Sequence, residues 1–115
     1  MNQSYRLSSV EIATYAKVMS DPTRLLIIKL VSKKEYCVCQ FVEMFEMSQP
    51  SISQHLKKLK SFGLVEETRR GQWRFYSLNT ASDAIGIVHA IINHISDQDE
   101  RYIELINKER PVDCG

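Results

Sequence analysis

The chain has 115 residues, 43% of them apolar and 25% charged, with a formal net charge of +1. That length fits a single domain over 1–115, with a core so modest that pairing with a second copy is a natural way to hide more surface. No apolar run approaches the roughly 18 residues of a membrane span. The start, MNQSYRLSS, lacks a secretory pattern, so we expect a cytoplasmic protein with reduced thiols.

Ser9 to Met19 reads as a first helix, with Val10, Ala13 and Ala16 forming a small-residue face suited to close packing. Asp21-Pro22 starts a second helix, with Asp as N-cap and Pro at the first helical position. This helix is apolar nearly all round from Leu25 to Val31, which predicts burial at the centre of the core. A third helix is expected over Tyr36 to Phe45, where Val38, Phe41, Val42 and Phe45 share one face. After a short turn a fourth helix begins near Ser48-Gln49-Pro50. It buries Ile52, His55, Leu56 and Leu59, and Gly63 ends it. His55 shares that apolar face, which gives it a structural role.

From Leu64 to Asn79 the period changes to that of strands flanking a Gly-containing turn, a β-hairpin. Thr80 and Asp83 resemble a cap for a long last helix, with a wide isoleucine stripe from Ile85 to Ile95. The segment after Asp97 is more polar and reads as a further turn or frayed extension. The core is expected over about 9–95, with an extension over about 96–115. The predicted class is mainly α with a small β-hairpin, in the order α-α-α-α-β-β-α. Helix, turn, helix and basic hairpin in succession make a winged helix-turn-helix.

Charge is unevenly spread. Lys57 to Arg74 holds six basic residues against two acidic, while Thr80 to Gly115 holds seven acidic against three basic. A concentrated basic segment is the footprint of a phosphate-facing surface. The N-terminal part of a helix in the major groove reaches base edges. Gln49, Ser51, Ser53 and Gln54 are therefore the predicted base readers. Lys57, Lys58, Lys60, Arg69, Arg70 and Arg74 are the predicted phosphate contacts. The predicted partner is double-stranded operator DNA, with no membrane partner. There is no glycine-rich phosphate loop, no HExxH and no paired-acid arrangement, which excludes the usual enzyme signatures.

The stretches DPTRLLIIKLV, CVC, SQPSISQHLKKLKSFGLV and RRGQWRFYSLN, in this order, closely resemble the ArsR/SmtB family of metal-sensing repressors, over roughly Val10 to Ile95. The resemblance implies a homodimer formed through the first and last long helices. It also implies operator binding in the apo state and release by an inducer. Cys37-Val38-Cys39 resembles the inducer site of that family, which takes soft thiophilic ions such as arsenite and antimonite, or cadmium and lead in other branches. Thiolates select soft ions on chemical grounds as well.

On a helix, positions i and i+2 point about 200° apart. Ligation by both sulfurs would therefore pull the start of the third helix out of regular geometry. The chain carries three cysteines, and their odd number in a reducing compartment argues against a disulfide scaffold. The family's common third cysteine, three residues after Cys39, is replaced by Val42. Cys114 is the remaining thiol, either a third ligand from its own or a partner subunit or an idle thiol. With at most three thiols, As(III) or Sb(III) is the expected inducer, and no cofactor is needed for folding. Redox or sulfur sensing, with a Cys39–Cys114 link as the oxidised form, is the rival reading, and a cadmium- or lead-responsive repressor is another. The family's last-helix zinc pattern is broken here: Asp83 is followed two positions later by Ile85, and His89 and His94 stand five apart.

Overall fold

The computed structural model describes residues 6–112. Helix α1 (Ser9–Met19) opens with a capping box: Ser8 Oγ accepts from the Glu11 amide and Glu11 Oε1 accepts from the Ser8 amide. Helix α2 (Pro22–Val31) is capped by Asp21, whose carboxylate accepts from the Arg24 amide at 3.0 Å. Caps of this kind contribute about 1 kcal/mol each. The apolar girdle of α2 does what its pattern requires. Ile27, Ile28 and Leu30 are fully buried, and each such side chain adds about 1.5–3 kcal/mol of transfer free energy.

The first departure from the sequence reading follows α2. Tyr36–Cys37 is not the start of the third helix but a two-residue strand, β1. Helix α3 spans Val38–Phe45, with Cys37 as its N-cap residue in extended conformation. Strand β1 adds to the hairpin of β2 (Val65–Arg70) and β3 (Trp73–Leu78), giving the antiparallel order β1-β3-β2. Tyr36 registers with Tyr76 and Cys37 with Phe75. The hairpin edge offers unpaired backbone groups, and the two residues of β1 pair with Tyr76 and Phe75 on it. A two-residue strand has no periodicity to read.

Helix α4 (Gln49–Ser61) begins where expected, with Ser48 accepting from the Ser51 amide at 3.2 Å. It ends in a Schellman arrangement: Leu64 N donates to Leu59 O, Gly63 N donates to Lys60 O, and Gly63 is left-handed at φ +71°. Ile52, Leu56 and Leu59 lock α4 against α2 and α3. The turn between α3 and α4 is made by Glu46, a non-glycine residue at φ +53°.

The expected last helix forms over the isoleucine stripe, and the segment read as a further turn or frayed extension is a separate helix. Helix α5 spans Ile85–Asn93 and α6 spans Glu100–Asn107. The predicted Thr80–Asp83 cap does not form: the N-cap of α5 is Ala84, without a side-chain bond. Asn79 and Ser82 instead hold the preceding turn, accepting from the Ala81 and Ala84 amides. The break at Ser96–Asp99 has its own capping chemistry, with Asp99 accepting from Tyr102 N at 3.0 Å. Lys29, only 4% exposed, pins this break from below. Its ammonium donates to Ile95 O at 3.0 Å, pairs with Asp97 at 3.1 Å and lies over the Tyr102 ring. The winged helix-turn-helix stands as expected, with a short third strand and a second C-terminal helix added to it. That helix places Tyr102 and Leu105 in the core.

Candidate nucleic-acid interface and thiol pocket

Cys37 is a buried free thiol, 3% exposed, and Cys39 is half-buried in the first turn of α3. Their sulfurs lie 3.3 Å apart. This overturns the expected 200° divergence. Cys37 stands outside the helix, at the end of β1 with φ −85° and ψ 151°, so its side chain turns toward the helix start rather than away from Cys39.

One side chain organises this corner. Gln40, 7% exposed, accepts from the Cys37 amide through Oε1 at 2.8 Å and donates through Nε2 to the Arg110 carbonyl, also at 2.8 Å. It is the N3 half of a capping box. A Gln three residues after an N-cap was a readable signal that the expected helix start at Tyr36 concealed. Other contacts bring the C-terminal segment onto the same side. Tyr36 donates to Glu109 at 2.7 Å, Lys34 pairs with Glu109, and Lys108 pairs with Glu46 at the α3–α4 turn. Burial, reinforced by Glu109, pushes the Tyr36 phenol well above its usual range. The phenol therefore stays a proton donor at any physiological pH.

A cavity of about 560 Å³ opens beside the thiols. Val38, Val42 and Trp73 give it apolar wall, while Gln49 from the start of α4 and Arg74 from β3 give it polar groups. The two cysteine sulfurs thus share one space with a predicted base reader and a predicted phosphate contact. Cys114 lies outside the described residues. Among the described residues no group of three or more His, Cys, Asp or Glu side chains could hold a metal ion. His94 Nδ1 lies 2.6 Å from the carbonyl of Ala90, one turn back along α5.

On α4, Gln49, Gln54, Lys57, Lys58 and Lys60 are exposed, and Ser51 and Ser53 are half-buried. Ser51 Oγ accepts from Ser48 Oγ at 2.9 Å, and Gln49 Nε2 reaches Ser53 Oγ at 3.5 Å. His55 is tied to the start of α2, with Nδ1 3.4 Å from Arg24 Nη1 and 3.9 Å from the Asp21 carboxylate. His55 is thus half-buried and held by polar ties, rather than buried with Ile52, Leu56 and Leu59 as the apolar stripe predicted. The predicted phosphate contacts divide into two groups. Lys60 is paired with Glu67 at 2.6 Å, Arg74 stands 3.9 Å from the same carboxylate, and Arg70 is paired with Glu35 while stacking on Phe75 at 3.9 Å. The hydrogen bond from Lys60 holds the Glu67 carboxyl below its usual range. Lys57, Lys58 and Arg69 have no ion pair among the described residues.

Three comparisons bear on this arrangement. Residues 21–67 match the family model described as "Bacterial regulatory protein, arsR family". The chain is 42% identical over 73 residues to the arsenical resistance operon repressor of Staphylococcus xylosus, an alignment covering 64% of this chain and 70% of that relative. Among solved structures it is similar to the transcriptional repressor BigR of Xylella fastidiosa, with TM-score 0.70 and 29% identity over 80% of this chain and 90% of that one. It is also similar to a homodimeric winged helix-turn-helix DNA-binding domain from Mycobacterium bovis, with TM-score 0.63 and 27% identity over 77% and 81% of the two chains.

Proposed function

The chain belongs to the arsR family of bacterial regulatory proteins, and on that premise we propose that it is a homodimeric, operator-binding repressor released by a trivalent arsenic or antimony species held on cysteine thiolates. The observation that carries the reading is the pair of sulfurs at 3.3 Å in a cavity walled by Gln49 and Arg74. Two thiolate bonds of about 2.3 Å, the length found for zinc, meeting near a right angle span about this distance. The donor set is soft, as the inducer requires. In the reduced protein Cys37 and Cys39 hold the ion, and each thiol proton leaves with a displaced hydroxide as water, with no change of oxidation state.

Cys114 supplies the third thiolate from the same subunit. The support is the anchoring of Arg110, four residues earlier, on the glutamine that caps Cys37. Four residues of extended chain span up to about 14 Å. Ligation then acts on two short paths to DNA. One runs through the Cys37–Phe75 register to the wing, and the other through α3 and Glu46 to α4. Dimerisation is supported by the exposed apolar residues of α1, Val10 at 74% and Ile12 at 43%.

The test is operator binding by the reduced protein, with and without arsenite, for wild type, Cys37→Ser and Cys114→Ser. Wild type lets go of DNA on adding arsenite and Cys37→Ser does not; release of Cys37→Ser at wild-type arsenite concentrations would sink the reading. A second reading, redox sensing, is favoured by Cys39, which is not a free thiol in this structure. Intact mass and operator affinity before and after diamide separate the two: an oxidised species that leaves DNA without any metalloid supports redox sensing.

A further inference from the structure

The wing side of α4 is largely neutralised by its own carboxylates, whereas the opposite side is not. There, between α1, the start of α2 and α4, lies a second cavity of about 600 Å³. Lys17 from α1, Arg24 from α2 and Lys58 from α4 face it, with His55 and Gln54 beside them. None of the three permanent cations has an ion pair among the described residues. Arg24 is held in place: Nε donates to the Val18 carbonyl at 2.6 Å and Nη1 lies 3.4 Å from His55. Lys58 is steadied over the Phe62 ring at 5.5 Å. The carboxylate nearby is Asp21, which accepts from the Arg24 amide and stands 3.9 Å from His55.

A helix in a major groove about 12 Å wide has a phosphate backbone along each edge. Gln54 and Lys58, predicted to face DNA, also line this cleft, so the groove-facing surface continues into it. We propose that the cleft between α1, α2 and α4 is a seat for an operator backbone phosphate, with Lys17 and Arg24 joining Lys58 as its ligands. Contacts of this kind set the position of the protein on the duplex and carry no base preference. The inference rests on DNA binding by α4 and adds residues from two helices outside the helix-turn-helix.

The test uses Lys17→Gln, at an exposed position, with Lys17→Arg as the rescue. Affinity is measured by fluorescence anisotropy across a salt series on the operator and on an unrelated duplex. Lys17→Gln is expected to flatten the slope of log K against log salt by about one. It should weaken both duplexes by the same factor, and Lys17→Arg should restore both. A duplex carrying one neutral methylphosphonate at the matching backbone position should weaken wild type by a larger factor than Lys17→Gln, which keeps Arg24 and Lys58 on that phosphate. Sedimentation should show the same oligomer for wild type and variant.

An unmoved salt slope, or weakening that tracks loss of the dimer, would overturn the proposal. So would saturation of the cleft by inorganic phosphate alone, followed by NMR, with an unchanged DNA slope; that result would assign it to a free anion. If wild type itself shows no salt-dependent DNA binding, the DNA reading falls and this proposal with it. A wild type that binds beside an unmoved variant removes this proposal alone.

Discussion

Gln40 joins the Cys37 amide to the Arg110 carbonyl, with 2.8 Å on each side. A buried carboxamide with both ends satisfied binds the N-cap of α3 to the C-terminal segment. A change at the thiols and a change in that segment are therefore felt together. Replacing it with Gln40→Leu leaves the Cys37 amide and the Arg110 carbonyl without this partner, a cost of about 1–3 kcal/mol where such groups stay buried. Urea unfolding should show a lower midpoint at unchanged slope. In the operator assay the variant should need more arsenite for half-release than wild type.

Glu67 takes up the charge of Lys60 and faces Arg74 at 3.9 Å, and its buried Oε2 has no hydrogen bond among the described residues. Glu67→Gln should release two cations toward DNA. The expected result is tighter operator binding at low salt, with a salt slope steeper by up to about two. An unchanged slope would mean that Lys60 and Arg74 do not meet phosphate.

Glu46 carries the turn between α3 and α4 at φ +53°. An L side chain in the left-handed region costs about 1–2 kcal/mol, which glycine avoids. Glu46→Gly also removes the partner of Lys108, but an exposed pair of this kind contributes little. Thermal unfolding should therefore show a net rise in Tm. The same variant loosens the joint between thiols and reading helix, so arsenite should release DNA less completely.

The acid limb of stability has named sources. The hydrogen bond from Lys29 and the charge of Lys33 hold the Asp97 carboxyl below its usual range, and Lys60 does the same for Glu67. A carboxyl lowered on folding contributes stability that is present above its unfolded pKa of about 4 and is lost as pH falls through the lower folded value. The denaturation midpoint should be flat from neutral pH to about 5 and fall below about 4. Asp97→Asn should make that fall shallower by lowering the neutral-pH midpoint and leaving the acid end unchanged, a small effect because its carboxylate is exposed.

Much of the frame was legible in the residues. The α2 girdle, the Asp21-Pro22 and Ser48 starts, the Gly63 stop and the strand period after it each rest on local chemistry, and each formed as read. The misreadings have a common cause. Tyr36 and Cys37 are compatible with a helical stripe, and only the hairpin edge beside them makes extended backbone the better choice. The isoleucine stripe runs through Ile95, but the polar Ser96–Asp99 segment caps a new helix, and buried Lys29 holds the break from a residue 66 positions away. Glu67 counted in the sequence only as an opposite charge, and Glu35 lies outside the basic segment altogether; folding set both against particular cations, which chose which of the predicted phosphate contacts stay free.

The residues by themselves determined the helix-turn-helix with its wing, the polar face of α4 and the two sulfurs at its neighbour's start, because these follow from period, capping and side-chain chemistry over a few neighbouring positions. Only the tertiary structure decided that the two sulfurs converge, that Gln49 and Arg74 share their cavity, and that Lys17 and Arg24 meet Lys58 across a cleft. The last two relations join segments far apart in the chain, and the first depends on the pairing of Cys37 with Phe75 in β3. They depend on how helices and strands pack against one another, which local patterning does not encode.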